Sequence, residues 1–424
     1  MNDSAWKGPS KDMGASESSS LESDLLIRHH TPYERVGCYP RWKDYCRRRI
    51  EIDRSWAFSS DFDVRKLKLK EIFNYNQEVT CIKTCGEWIL CGLKWDTIMV
   101  YDCKYLGSLI GVIVGPPGIA RKFLVAHVLG RIFLATMTNS NEIHIYDLTS
   151  NKFVLHKKLS GHTNLITDIA ISTSMRDPLN PDSRGELLSS AEDRTIRLWN
   201  IKSGCCLHVF RGLEGPATSI ALCGNHLVSM GGDNYLRAWD VNTHKPVLKE
   251  LITIENATIR QFDGSKVLLS RDDDFFVFDI FENTYDSFFT GSVPFCLLPH
   301  RQQLKTCSDI IYMKGENIIT YSVTKNEIIS SIPAGEHCKP GELRGIYANE
   351  RFIVTFDKYL LQLWDRKERC WVRTLLDIEH IPAVKEFCRE NEGGAFVTTE
   401  SLRHLAIPVR YLDNEIALFV LSFN

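Results

Sequence analysis

The sequence predicts an all-β fold, a β-propeller of eight blades. Residues 187–200 (LLSSAEDRTIRLWN) read as two strands joined by a tight polar turn. A Gly161-His162 pair lies upstream at the distance that one four-stranded unit requires. Strand-like segments of the same kind recur about every 44 residues after Val64, with alternating apolar residues and short polar turns. An even repeat of this length indicates blades arranged around a central axis.

The unit at 161–200 is similar to a WD repeat, which has Gly-His near its start and Trp-Asp or Trp-Asn at its end. In such a unit His162, a strand hydroxyl (Ser189 or Ser190), Asp193 and Trp199 are predicted to form one buried hydrogen-bond chain. An unpaired buried donor costs about 1–3 kcal/mol, so the chain would stabilise the blade. The interpretation of these side chains is structural, and function is expected on the faces of the propeller.

Composition indicates a soluble, intracellular protein. The 424 residues are 44% hydrophobic and 25% charged, with a net charge of −2, so no overall basic field favours nucleic acid or an anionic membrane. The polar N-terminus lacks the apolar core of a signal peptide, and no apolar run is long enough to span a bilayer. The 14 cysteines lack regular spacing and are expected to be reduced thiols in the cytoplasm or nucleus.

Two segments precede the repeats. Residues 1–32 are predicted to be a disordered tail, because the first part is rich in Ser, Gly, Asp and Glu. In residues 33–60, apolar side chains recur at three- and four-residue steps from Trp42 to Ile50, which predicts a basic amphipathic helix over about 41–55. The propeller is predicted to occupy residues 61–424.

Seven units follow in order, each with three recognisable strands except the sixth, in which only two stand out. Their third strands lie at 97–103, 142–148, 196–200, 235–241, 275–281, 317–323 and 360–366. Tyr-Asp or Phe-Asp replaces Trp-Asp in the first, second and fifth units. The period therefore persists where the motif does not.

An eighth unit is predicted from the strands 383–388, 395–400 and 404–411, the last being its third strand. Residues 415–423 offer one more strand, which leaves seven blades plus a C-terminal appendage as the alternative. Because an open sheet edge promotes aggregation, the ring must close. The alternating segment VRKLKLK (64–70) is predicted to supply the outer strand of the last blade.

A basic helix is followed by Trp56, a short spacer, an alternating strand and a propeller. This order resembles the F-box/WD-repeat family. The family-specific part of the resemblance covers 41–70, and Trp42 and Cys46 resemble the trailing edge of an F-box. The remainder matches WD repeats in general. The sequence departs from the family in residues 1–40, which lack the leading Leu-Pro and the apolar residues of an F-box. The box is truncated, degenerate or was never present.

The resemblance implies a substrate-recognition subunit of a Skp–cullin–F-box ubiquitin ligase. An F-box would bind the Skp adaptor and through it the cullin, and the propeller face would bind a substrate peptide that is often phosphorylated. The alternative is a WD-repeat scaffold that assembles proteins without a ligase. Neither reading involves a membrane or nucleic acid.

No enzyme is predicted, because the sequence has no phosphate-binding glycine loop, no metalloprotease motif and no nucleophile elbow. No metal or other cofactor is predicted either. Cys81 and Cys85, and the adjacent Cys205 and Cys206, have no partners at zinc spacing, and 272–274 (DDD) falls where other units place a turn.

Five arginines are candidates for binding a substrate. They are Arg121, Arg194, Arg260, Arg271 and Arg344. Four of them are expected by position near the mouth of the central channel, where a guanidinium can hold a phosphate or carboxylate with two hydrogen bonds, and Arg194 lies in a turn expected on or near a face. Together they predict a basic channel mouth that accepts an acidic or phosphorylated peptide.

Overall fold

The computed structural model describes most of the chain from residue 79 onward and two short segments before it. The described residues are 54, 56–57, 63–68, 79–85, 88–93, 97–103, 108–115, 122–128, 131–149, 153–171, 185–251, 257–262, 265–271, 274–282, 284–289, 295–298, 309–322, 325, 327–338, 343–348, 351–379, 381, 384–387, 397–398, 404–412 and 416–422.

Eight antiparallel sheets make up the fold, and seven of them have four strands in chain order. Blade 1 has β2 (Val79–Cys85), β3 (Trp88–Leu93), β4 (Thr97–Asp102) and β5 (Ser108–Val114); blade 2 has β6 (Lys122–Val128), β7 (Arg131–Met137), β8 (Glu142–Asp147) and β9 (Val154–Ser160). Blade 3 has β10 (Ile166–Ile171), β11 (Glu186–Ala191), β12 (Ile196–Asn200) and β13 (Cys206–Phe210); blade 4 has β14 (Ala217–Cys223), β15 (His226–Gly231), β16 (Tyr235–Asp240) and β17 (Pro246–Leu251). Blade 5 has β18 (Thr258–Phe262), β19 (Lys266–Arg271), β20 (Asp274–Asp279) and β21 (Thr284–Phe289); blade 6 has β22 (Phe295–Leu298), β23 (Asp309–Lys314), β24 (Asn317–Ser322) and β25 (Glu327–Pro333). Blade 7 has β26 (Gly345–Ala348), β27 (Phe352–Phe356), β28 (Leu360–Asp365) and β29 (Cys370–Asp377).

The first strand of each blade faces the central axis, and the fourth forms the rim. First strands of successive blades pack beside one another, as β2 does on β6, β10 on β14 and β22 on β26. Because seven of the sheets are antiparallel in chain order, the start of the first strand and the turn between the second and third strands lie at the same end in each of them. We call this end of the propeller the mouth face.

The eighth blade joins the two ends of the chain. Its strands are β30 (Val384–Phe387), β31 (Val397–Thr398), β32 (His404–Tyr411), β33 (Ile416–Ser422) and the N-terminal β1 (Asp63–Lys68). β30 and β31 both pair with β32, β33 follows, and β1 is outermost. The register opposes Asp63 to Ser422 and Lys68 to Ala417.

This arrangement confirms eight blades and the sealing role of 64–70, so the seven-blade alternative is wrong. The assignment of strands within the last blade was also wrong. Residues 404–411 form the second strand, and 416–422 form the third. The reason is that β30 and β31 are too short to be two full strands, and they share the inner position by pairing with opposite ends of β32.

The apolar core lies between blades. Eight clusters of buried residues each join two neighbouring blades, and together they run around the whole ring. The cluster that closes it packs Ile82 and Tyr101 of blade 1 against Ala406 and Val420 of blade 8. Burial of both sheet faces explains the near-continuous apolar runs in the third strands.

The N-terminal approach to the ring is anchored by Trp56. Arg54, Trp56 and Ala57 are helical, whereas the tail 1–32 and most of the predicted helix lie outside the described residues. The Trp56 side chain is 1% exposed and stacks on Phe352 of blade 7 at 6.1 Å between ring centroids. Arg373 donates two hydrogen bonds to the Trp56 carbonyl, at 2.8 and 3.1 Å. Within the described ranges, no helix is long and apolar enough to cross a membrane.

Candidate functional site

Blade 3 contains a buried hydrogen-bond chain of four side chains. The Trp199 indole N–H donates to Ser189 Oγ at 2.8 Å, and Ser189 Oγ lies 2.7 Å from His162 Nε2. His162 Nδ1 lies 2.8 Å from Asp193 Oδ2. The sequence left two serines open for this role. Ser190 Oγ instead bonds with Thr167 Oγ1 at 2.8 Å, so Ser189 is the residue that joins the chain.

The direction of the chain follows from the charge state of its members. Burial lowers the pKa of His162 and outweighs the opposing effect of Asp193, so the imidazole is neutral. Its Nδ1–H then donates to Asp193, and Nε2 accepts from the Ser189 hydroxyl. Burial opposes ionisation of Asp193, but hydrogen bonds from Thr195 and His162 prevail and lower its pKa. Every polar atom in the chain therefore has a complementary partner.

Other blades replace parts of this chain. In blade 4 the turn residue Asp233 forms a bidentate ion pair with Arg237, in which Nη1 lies 3.0 Å from Oδ1 and Nη2 lies 2.8 Å from Oδ2. Asp233 also accepts a hydrogen bond from the Gly215 amide. In blade 7 the Trp364 indole donates to Thr355 Oγ1 at 2.8 Å. Different blades therefore stabilise the equivalent positions with different polar side chains. This explains why the WD motif is lost in some blades while the period of the strands remains.

The arginines predicted at the channel mouth are placed on the mouth face where they are described, but their surroundings differ. Arg194 is exposed, in the β11–β12 turn, with a left-handed φ of 61°. Arg260 is the extra residue of a bulge in the inner strand β18, is exposed, and donates from Nε to Ser270 Oγ at 2.6 Å. Arg271 is half-buried at the end of β19. Arg121 lies outside the described residues.

Arg344 joins two blades. Its guanidinium donates to the Phe387 carbonyl at 2.6 Å and to Glu386 Oε2 at 2.8 Å. Both partner side chains are largely buried, at 12% and 13% exposure. Burial disfavours the charged form of Glu386, but the bonds from Arg344 outweigh it and lower the pKa. This arginine stabilises the seam between blades 7 and 8.

Inner-strand lysines add positive charge that the sequence analysis missed. Lys122 forms a salt bridge with Asp168 at 2.7 Å, and Asp168 also accepts from the Ile220 amide, so these contacts link blades 2, 3 and 4. Lys83, on β2, is solvent-accessible, yet surrounding protein desolvates its ammonium and, helped by Lys122, lowers its pKa. Lys385 is exposed as the extra residue of a bulge in β30. The sequence could have indicated these lysines, because they lie on or next to predicted first strands, which face the channel.

The mouth face offers groups that can bind an anion. Donors on the mouth face are cationic side chains that can hold a carboxylate or phosphate. Within the described ranges, no three His, Cys, Asp or Glu side chains are grouped so that they could hold a metal ion.

Residues 153–200 match the family model "WD domain, G-beta repeat". The matched segment starts at the outer strand of blade 2 and ends with the third strand of blade 3, so one sequence repeat spans two blades. The chain therefore contains a WD repeat within an eight-bladed β-propeller.

Curated relatives match parts of the chain. Polycomb protein esc of Drosophila virilis is 29% identical over 126 residues, 28% of this chain and 27% of that protein. Autophagy-related protein 16 of Arabidopsis thaliana is 28% identical over 190 residues, 44% and 33% of the two chains. Cell division control protein 4 of Saccharomyces cerevisiae is 35% identical over 80 residues, 19% and 9%. The chain thus spans a third or less of each relative's length.

Among solved structures, the computationally designed Ika8 protein shares the fold. It aligns with a TM-score of 0.55 and 14% identity, over 81% of this chain and 96% of the designed one. At this identity the likeness concerns architecture alone.

Proposed function

We propose that this chain is the substrate-recognition subunit of a Skp–cullin–F-box ubiquitin ligase and that its mouth face binds a peptide of the substrate. In this proposal the chain is not an enzyme, and it acts in the cytoplasm or nucleus. Segment 21–50 would contact the Skp adaptor, and the propeller would hold the substrate at a fixed distance from it.

The docking of Trp56 is the observation that carries the proposal. A buried indole stacked on blade 7, with its carbonyl held by Arg373, fixes the entry of the N-terminal segment to the ring. The next described residues, β1, seal blade 8. A ligase receptor needs this geometry, because the transfer of ubiquitin depends on the substrate being presented in a defined place.

The mouth face supplies the chemistry for an acidic or phosphorylated peptide. Arg194 and Arg260 are exposed there, Arg271 is half-buried, and Lys385 lies on an inner strand. Arg344 takes no part in this proposal, because its guanidinium is held by Glu386 and the Phe387 carbonyl. The sequence-based set of substrate-binding arginines is reduced accordingly.

Affinity purification of the full-length chain from cells tests the ligase proposal. We expect a Skp adaptor and a cullin to be recovered and to be lost when residues 21–50 are deleted. Trp56→Ala should retain the adaptor but reduce substrate ubiquitination, because it frees the connection to the propeller. Arg54→Ala, an exposed neighbour, is the matched control. Absence of adaptor and cullin from the full-length chain would overturn the proposal.

A second candidate is a scaffold that assembles proteins without a ligase. It is favoured by the diversity of the relatives, whose names point to Polycomb, autophagy and cell-division proteins. Recovery of stable partners in the same purification, without adaptor or cullin, would support the scaffold.

A degenerate library of phosphoserine peptides tests the mouth face under either candidate. Arg260→Ala combined with Arg194→Ala should lower retention of the library about tenfold, because each lost charge-assisted hydrogen bond removes one contact to phosphate. Arg54→Ala, remote from this face, is the control. Unchanged retention by the double variant would exclude these arginines from peptide binding.

A further inference from the structure

A groove of about 300 Å³ lies on the rim between blades 3 and 4, away from the central channel. Its walls come from the outer strand β13 and the residues after it, and from β16, β17 and the turn between them. The residues that matter for binding are His208, Arg211, Arg237, Trp239, His244 and Lys249. A volume of this size accommodates one or two side chains of a peptide.

Aromatic rings form one wall of this rim groove. The imidazoles of His208 and His244 stack at 3.7 Å between centroids, with only 5° between their planes. Phe210 contacts His208 edge-on at 4.7 Å and packs beside Trp239 at 5.8 Å. His244 reaches this position from a left-handed backbone, with a φ of 59°.

The charged side chains that line the groove are cations, and two of the three pair with acidic residues outside its lining. None of the described residues that line it is acidic. The Arg237 side chain is 3% exposed, and although its terminal nitrogens bind Asp233, its buried Nε has no hydrogen-bond partner. Lys249 pairs at the surface with Glu214 at 2.6 Å. Arg211 is exposed and forms no salt bridge within the described part of the chain.

We infer that this rim groove binds an acidic peptide segment of a partner protein, with a Glu or Asp side chain held near Arg211 and the stacked histidines. The carboxylate would offset the surplus of cations, and its aliphatic stem would lie along Phe210 and Trp239. A hydrogen bond to a charged group stabilises a complex by more than a neutral hydrogen bond does. One bound carboxylate therefore favours an acidic peptide over a neutral one. The site is distinct from the mouth face and does not depend on the proposed ligase function.

His208 makes the binding dependent on pH. Burial and the neighbouring His244 lower the pKa of His208, so the His208 imidazole is neutral in the free protein above pH 7. A carboxylate placed beside it favours the protonated imidazole, and binding therefore takes up a proton. The charged groups that line the groove are Arg211, Arg237 and Lys249, and Asp233 and Glu214 pair with the last two. Asp240 and Lys245 lie in the turn that carries His244. Affinity should rise as the pH falls from about 7.5 to 6.

Fluorescence anisotropy of the full-length chain with fluorescein-labelled hexaglutamate tests the inference, with labelled hexaserine as the neutral probe. We expect saturable binding of hexaglutamate only. Arg211→Ala should weaken it about tenfold. Lys245→Ala removes one positive charge from the turn that carries His244 but does not line the groove, and should leave the affinity within twofold.

Absence of saturable binding to the unaltered chain, or an equal loss with Lys245→Ala, would overturn the inference, because the attraction would then be absent or non-specific. The double variant His208→Gln with His244→Gly tests whether the histidines cause the pH dependence of binding. It should bind with the same affinity at pH 7.5 and pH 6, whereas the unaltered chain binds several times more tightly at pH 6. Since glycine tolerates the left-handed φ at 244, this variant should fold, and a retained pH dependence would exclude the histidines.

Discussion

Ser189 is the residue on which the polar interior of blade 3 depends. It is fully buried and contacts both the Trp199 indole and His162. Sequence patterning could locate the four members of this chain but not choose between two adjacent serines, because that choice depends on strand register. In the structure Leu187 opposes Trp199, so Ser189, two residues on, lies on the same face of the sheet.

Replacing Ser189 by Ala should lower the free energy of unfolding by about 2–6 kcal/mol, because two buried polar groups lose their partner at about 1–3 kcal/mol each. Ser190→Ala is the matched control, as its hydroxyl bonds outside the chain, and should cost about 1 kcal/mol. Urea unfolding monitored by tryptophan fluorescence measures both. Equal losses would mean that the buried chain has no special role in stability.

The lowered pKa of His162 should make the stability of the fold depend on pH. Its pKa is lowered in the folded state by burial, whereas the unfolded chain has the ordinary value of about 6.5. Stability from this group is therefore fully present above pH 6.5 and is lost as the pH falls from there towards the folded pKa, because the unfolded state takes up the proton first.

The measurement is the urea midpoint at pH 7.5 and pH 5.5 for the unaltered chain and for His162→Gln. We expect the fall in midpoint between the two pH values to be smaller in the variant. An identical fall in both proteins would show that His162 does not titrate differently on folding.

At the scale of elements, contacts between blades decide which charged side chains are available to bind a ligand. The sequence predicted that Arg344 is available for binding a substrate, because its partner Glu386 is 42 positions away and belongs to the next blade. Local patterns give strands and turns reliably but carry no information about such pairs. The alternation of apolar residues likewise did not predict the bulges that expose Arg260 and Lys385 on inner strands.

Breaking the Arg344–Glu386 pair should destabilise the seam between blades 7 and 8. Arg344→Met leaves the Phe387 carbonyl without this donor, while Glu386 keeps a contact with Arg410 at 3.6 Å. The loss should be about 1.5–3 kcal/mol, that of a hydrogen bond to a charged group. A double-mutant cycle with Glu386→Gln, measured by urea unfolding, should show coupling above about 1 kcal/mol. Additive losses would mean that the two side chains do not interact.

On the scale of the whole molecule, the period of the sequence predicted the number of blades, because every blade must fill a similar angular space with strands of similar length. It could not assign strands within blade 8, where β30 and β31 share one position and the outer strand comes from residues 63–68. The rim groove escaped prediction too, since its two walls belong to different blades and meet only in the closed ring.

Ring closure by both ends of the chain is tested most directly by a disulfide across blade 8. Lys68 opposes Ala417 in the register of β1 and β33, so Lys68→Cys with Ala417→Cys should cross-link under mild oxidation, as detected by peptide mapping with mass spectrometry. Asp63→Cys with Ala417→Cys places the thiols five residues apart along the strand and should not cross-link. A bond in the second pair and not in the first, or in neither, would contradict the closed eight-bladed propeller.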